Sequence, residues 1–176
     1  MIAARLRLLL CDNRPIMIAG ALSATLLTVA LLFEHIGGLV PCDLCLTQRV
    51  PHYGIVGLAL ISMMSPHQQK TWRPVGTLLA ATTAGVGLQH VGVEQGWWQG
   101  PKGCSSAVDA SASLSDLTTS LLATPVVRCD EIAWSFLGIS MAGWNMLISL
   151  GLALFLLWAT LDLLGLMRTA NDKEVG

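Results

Sequence analysis

Apolar residues fall into four long blocks along this chain, separated by two short stretches and one long one. The blocks cover about residues 15–33, 46–64, 74–93 and 138–160, the last lying within an apolar stretch from 136 to 167. Each is close to the roughly 20 residues a helix needs to cross a bilayer. Pro51 stands near the start of the second block, where a helix tolerates it. The pattern predicts an all-α membrane protein, a four-transmembrane-helix bundle forming one integral domain over 1–176. Four crossings put both termini on one side and leave two loops on the other, about 34–45 and 94–137.

Within the second loop the pattern changes. Leu114, Leu117, Leu121 and Leu122 recur at helical spacing among Ser and Asp residues. This predicts a short amphipathic helix lying on the membrane surface, ended by Pro125.

Composition strengthens the membrane reading. Hydrophobic residues make up 53% and charged residues 12%, against about 25% charge in ordinary soluble domains. Mean hydropathy is +0.64. The net charge of −1 says nothing about partners, and no basic cluster suggests nucleic acid. Where the basic residues fall is more informative than their sum. Arg5, Arg7, Arg14, Lys70, Arg73, Arg168 and Lys173 lie on the side of the termini, seven of the ten Lys and Arg. Arg49, Lys102 and Arg128 lie on the other. The positive-inside rule therefore places both termini and the 65–73 loop in the cytoplasm, and both cysteine-bearing loops outside.

The candidate chemistry sits at the start of the second block, in Pro41-Cys42-Asp43-Leu44-Cys45-Leu46-Thr47-Gln48-Arg49. If Cys45 opens the following helix, Arg49 lies one turn further along the same face, and the positive helix N-terminus acts on the same thiol. Both effects favour a thiolate, the species that attacks disulfides, binds metals or gives up electrons. Arg49 stands at the apolar boundary, where a cation is costly without a partner or a function. Glu34 and His35 read as an interfacial polar end to the first block, and His52 with Tyr53 as interfacial rings. His90 lies about one turn inside the Trp97–Trp98 pair, a depth that suits a ligand ring or a polar helix contact. Cys11 follows only three apolar residues, too short for a signal or lipoprotein leader, and reads as an unpaired cytoplasmic thiol.

Cys42, Cys45, Cys104 and Cys129 all fall on the outward side. Four cysteines allow three pairings, of which Cys42 with Cys45 and Cys104 with Cys129 is the simplest. Three uses compete. Structural staples contribute about 2–4 kcal/mol each, but a Cys-x-x-Cys loop is too small to gain much. A structural zinc site usually has two close ligand pairs, whereas Cys104 and Cys129 are far apart in sequence. A dithiol relay, one pair exchanging with a soluble partner and the other passing electrons to a membrane acceptor, accounts for all four and for Arg49.

Taken together, the motif 41–49 after a block ending Phe33-Glu34-His35, a cysteine near each end of the second outward loop, and Cys129-Asp-Glu-Ile-Ala-Trp-Ser-Phe-Leu-Gly138 resemble the DsbB family of bacterial inner-membrane disulfide bond formation proteins. In bacteria the DsbA, DsbB and quinone relay keeps the periplasm oxidising. The resemblance implies a quinone-dependent thiol oxidase that reoxidises a DsbA-like periplasmic thioredoxin-fold protein. It implies that Cys104 receives the attack of that partner, that Cys129 is its loop partner and resolves toward Cys42, and that Cys45 donates electrons to ubiquinone or menaquinone. Arg49 matches the arginine that assists quinone binding and reduction; the family's histidine near the outer end of the third span maps poorly onto His90, the remaining candidate for quinone contact. No metal is implied. The resemblance also implies a bacterial inner membrane location, with contacts to lipid and the quinone pool. A vitamin K epoxide reductase-like protein carries its acceptor-facing Cys-x-x-Cys late in the bundle, unlike this chain. A DsbI-type paralogue would share the motif and differ in partner.

Overall fold

The computed structural model describes residues 14–64, 68–101 and 128–165, with the side chains of residues 69 and 70 excepted. Cys11, His67, Lys102, Cys104, the proposed amphipathic helix and residues 166–176 lie outside the described residues. Four helices make up the described fold: α1 Arg14–His35, α2 Asp43–Met64, α3 Gln69–Glu94 and α4 Met141–Leu163. A two-stranded hairpin, β1 Ser135–Phe136 with β2 Ile139–Ser140, precedes α4.

The helices stand in chain order around the bundle. α2 packs between α1 and α3, α3 packs most extensively on α4, and the ring closes through a much thinner α1–α4 contact. Small residues permit the close approaches. A methyl added to Gly87 of α3 would press against the Met146 backbone of α4, and one on Gly20 of α1 would overlap the Ala59 side chain of α2. Ala19, Ile55, Ala80, Leu152, Ala153 and Leu156 form a core toward one end of the bundle. A second cluster, Cys42, Leu44, Val93 and Cys129, lies at the other end.

The outer faces remain apolar. Ile18, Leu60, Leu78 and Leu154 are all at least half exposed, as expected of surfaces that meet hydrocarbon rather than water. By length and composition, α1 and α4 are apolar enough to cross a membrane. α2 and α3 are as long but carry polar residues within them. Gln48 and His52 of α2 and Thr83 and His90 of α3 are all buried in the bundle interior.

The element boundaries differ from the sequence pattern at two places. α2 begins at Asp43 rather than around Cys45 or Leu46, because the Cys42 sulfur accepts the backbone N–H of Cys45 at 3.4 Å and so caps the first turn. α4 begins at Met141 rather than about 138, because Leu137 and Gly138, with φ of 53° and 78°, form the tight turn of the hairpin. Two positive φ values in succession suit the right-handed twist of paired strands. Ser140 then caps α4 by accepting the Gly143 N–H at 3.1 Å.

Candidate functional site

At the end of the bundle formed by the second cluster, the turn Gly37–Gly38 carries the chain from α1 into the cap of α2. Gly38 has φ of 67°, a conformation open to glycine. Cys42 therefore sits at the mouth of a helix N-terminus with Cys45 one turn in. Both are free thiols, with sulfurs 3.1 Å apart. Cys42 is buried and Cys45 partly so.

Every polar neighbour of the Cys42 sulfur is able to donate to it: the Cys45 thiol at 3.1 Å, the Cys45 N–H at 3.4 Å and His90 Nε2 at 3.6 Å. The Cys42 thiol is accordingly pulled down from 9.0 to about 4, chiefly by the hydrogen bond with the Cys45 thiol. Burial opposes this shift, and His90 and the Cys45 N–H assist it. Cys45 moves the opposite way. Next to a thiolate and partly desolvated, it holds its proton, and the Arg49 charge offsets only part of that. The expectation that the helix start and Arg49 make Cys45 the thiolate is therefore corrected for the dithiol form. The helix starts earlier, so its N-terminus acts on Cys42, and the pair's single negative charge lies there.

Arg49 lies one turn beyond Cys45 on α2 and forms an ion pair with Glu34 at the end of α1. Glu34, expected as a plain interfacial polar end, is thus the counter-charge the arginine requires at this depth. His35 is exposed and, among the described residues, its ring bonds back to Leu31 O, at 3.0 Å. His52, expected at the interface, is buried instead, with Nδ1 3.1 Å from Ser23 Oγ and Nε2 3.0 Å from Asn145 Oδ1.

His90 comes to the cysteines from α3. Its Nδ1 lies 2.8 Å from Gln48 Nε2, and its Nε2 lies 3.9 Å from Glu94 Oε1 as well as near Cys42. Glu94, just past the predicted third span, accepts from the Ser140 hydroxyl. Burial raises its carboxyl above the usual range, while that hydrogen bond and His90 oppose the rise. The ligand atoms of Cys42, Cys45 and His90 lie within 4.8 Å of one another, a spacing that distance alone would allow a metal. Cys129 is completely buried, belongs to the same cluster as Cys42 and is disulfide-bonded.

Beside the cysteines is a cavity of about 430 Å³, within the range of small-molecule sites. Cys42, Cys45, Arg49 and His90 line it, and its remaining walls are largely apolar, contributed by α1, α4 and the segment before the hairpin. It lies between α1 and α4, the helix pair with the thinnest contact around the ring. Phe33, Trp134 and Phe136 form a row on one wall, with ring centroids 5.0 and 6.1 Å apart in sequence. The structure thus gathers Cys42, Cys45, Arg49 and His90 around one space.

Comparison with known proteins decides the family. The family model described as "Disulfide bond formation protein DsbB" matches residues 12–159. The chain belongs to the DsbB family. Relatives named Disulfide bond formation protein B include those of Verminephrobacter eiseniae, 35% identical over 75% of this chain and 76% of the relative, and of Marinobacter nauticus, 36% identical over 76% and 85%. The relative from Acidovorax sp. (strain JS42) is 30% identical over 89% of this chain and 90% of its own length. Disulfide chemistry is thus what the family's name gives this DsbB-family chain, and a free dithiol lies in its candidate site.

Sequence reasoning did not single out Gln48, Thr83, Asn145, Glu94 or Ser140. One signal was present. An amide inside an apolar block, such as Asn145 in α4, is expensive in a helix facing lipid and so marks an inward contact.

Proposed function

We propose that this chain is a four-span membrane thiol oxidase that reoxidises a DsbA-like periplasmic dithiol protein and delivers the electrons to a quinone, ubiquinone or menaquinone, beside Cys45. The observation that carries this reading is a dithiol opening, together with a cation, onto an apolar cavity of about 430 Å³. Two of the four helices are apolar enough to span. The inward polar residues of α2 and α3 explain why those two fall short while their outer faces stay apolar.

The donor set fits a quinone. The walls suit a ring and its apolar tail, Arg49 can donate to a ring oxygen, and the Cys45 sulfur lies on the same wall. A quinone held there supplies a two-electron, two-proton acceptor.

The remaining steps belong to the chain's cysteines. A thiolate of the reduced partner attacks Cys104 of a Cys104–Cys129 disulfide, forming a mixed disulfide and releasing Cys129. The partner's second thiolate then displaces Cys104 and leaves the partner oxidised. The Cys129 thiolate attacks Cys42 of an oxidised Cys42–Cys45 pair, which releases Cys45 as a thiolate. With Cys42 bonded to Cys129, the negative neighbour that makes Cys45 hold its proton is gone, and the Arg49 field acts on Cys45 against burial alone. The Cys104 thiolate then attacks Cys129, which restores the Cys104–Cys129 disulfide and releases Cys42, so the partner's two electrons rest on the Cys42–Cys45 dithiol. Burial of Cys129 in one cluster with Cys42 supports that transfer.

The test is anaerobic quinone reduction by purified protein with a reduced thioredoxin-fold donor, followed by quinone absorbance. Turnover that disappears in Cys45→Ala supports the reading. No turnover with either quinone class sinks it.

A further inference from the structure

A continuous line of buried polar side chains crosses the bundle and draws on all four helices. It runs from Ser23 on α1 through His52 on α2, Asn145 on α4 and Gln48 on α2 to His90 on α3, and ends at Cys42. Amides and imidazoles can pass hydrogen bonds in either direction, so such a line has two self-consistent polarities.

Thr83 selects one of them. Its hydroxyl lies 3.1 Å from the Gln48 backbone carbonyl, which can only accept, so Thr83 donates there. Toward Asn145, 3.3 Å away, Thr83 Oγ1 is then an acceptor, and Asn145 must present its amide nitrogen. The same Nδ2 donates to Gln48 Oε1 at 2.6 Å, which turns Gln48 Nε2 toward His90 Nδ1 at 2.8 Å. A ring nitrogen that receives an N–H carries no proton itself, so the ring's proton is on Nε2. At the other end of the line, Asn145 Oδ1 is left to accept from His52 Nε2 at 3.0 Å. Every contact along the line is satisfied in this one polarity.

We infer that Thr83, Asn145 and Gln48 are positioning residues that hold the His90 proton on Nε2, as a hydrogen-bond donor aimed at the Cys42 sulfur. The use made of that donor rests on the proposed thiol oxidase: it favours Cys42 as the thiolate that exchange releases. Among the described residues, the other charged or titratable groups around the pair are Asp43, Cys45 and Arg49 on α2, Glu94 on α3, Glu34 on α1, and Arg128 and Glu131 of the outer segment. None of these contacts Nδ1 in place of Gln48. The same assignment answers the metal-like spacing of Cys42, Cys45 and His90. A nitrogen that bears a proton does not ligate, and Gln48 occupies the ring's other nitrogen.

The test is nitrogen-15 NMR of histidine-labelled, reduced protein in detergent micelles, with long-range correlations that report which ring nitrogen carries hydrogen. Wild-type His90 is expected in the Nε2–H form alone. Thr83→Val, a change at a residue that bonds neither His90 nor either cysteine, is expected to yield both tautomers, and Thr83→Ser to restore the single one. The alkylation midpoint of Cys42 should rise in Thr83→Val by about half a pH unit, a roughly twofold loss of thiolate at the wild-type midpoint. A wild-type proton on Nδ1, or an unchanged tautomer in Thr83→Val, overturns the inference. Neither readout uses partner or quinone, so failure here is separate from failure of the Cys45→Ala assay.

Discussion

Arg49 and Glu34 join α2 to α1 through an ion pair at the wall of the cavity, with the guanidinium side chain 13% exposed and the carboxylate 29%. The pair holds the arginine one turn from Cys45 and leaves part of its donor fork to the cavity. Arg49→Lys keeps the charge but loses the planar fork. Quinone reduction is expected to fall about tenfold, the loss of one charge-assisted hydrogen bond of about 1.5 kcal/mol, while the thermal midpoint stays near wild type. Unfolding of Arg49→Lys at the growth temperature would show that the residue is chiefly structural.

Two cysteine substitutions separate the halves of the relay. Cys104→Ala should prevent a mixed disulfide with the soluble partner, seen as loss of the cross-linked band on non-reducing gels. Cys45→Ala should still form that band yet give no quinone reduction. A Cys104→Ala protein that oxidises the partner at the normal rate contradicts the assignment.

Reduced protein should react with iodoacetamide at Cys42 well below the usual thiol range. The rate is expected to hold steady down to about pH 5 and fall with a midpoint near 4. The stability consequence has a definite sign. The folded thiol titrates lower than the unfolded one, so its contribution is complete above about pH 9 and is lost as pH falls through about 4. Denaturation of the reduced protein against Cys42→Ser across that window measures it. A difference independent of pH would remove the thiolate from Cys42.

Ser140 serves two neighbours. It accepts the Gly143 N–H at the start of α4 and donates to Glu94. Ser140→Ala should lower stability by about 1–2 kcal/mol, in the range for a lost helix cap, read as a drop in the thermal midpoint. Ser140→Thr, which keeps the hydroxyl, should recover most of it.

The helices were legible because apolar block length is a strong signal in a chain that has few charges to interrupt it. The motif 41–49 was legible because cysteine spacing and a nearby arginine are local features. Two kinds of feature were not. Cys42 acts as a cap because its sulfur folds back onto the Cys45 N–H, and hydropathy says nothing about which residue ends a helix. The pairing of Glu34 with Arg49, and of Gln48 with His90 and Asn145, depends on how helices rotate against one another. Residues far apart in sequence meet there, and a single chain carries no period that records it. His52 shows the same point, since an interfacial ring and a buried one have the same one-letter signature.

The cap at Cys42 has a further outcome. A sulfur that carries the thiolate when reduced and a neutral bond when oxidised removes a counter-charge from the first turn of α2 each time it turns over, a change of about 0.3–1 kcal/mol at a helix N-terminus. The first turn of α2 is therefore expected to fray more readily in the oxidised protein. Faster deuterium uptake at the Leu44 and Cys45 amides would then report the state of the dithiol from the backbone alone.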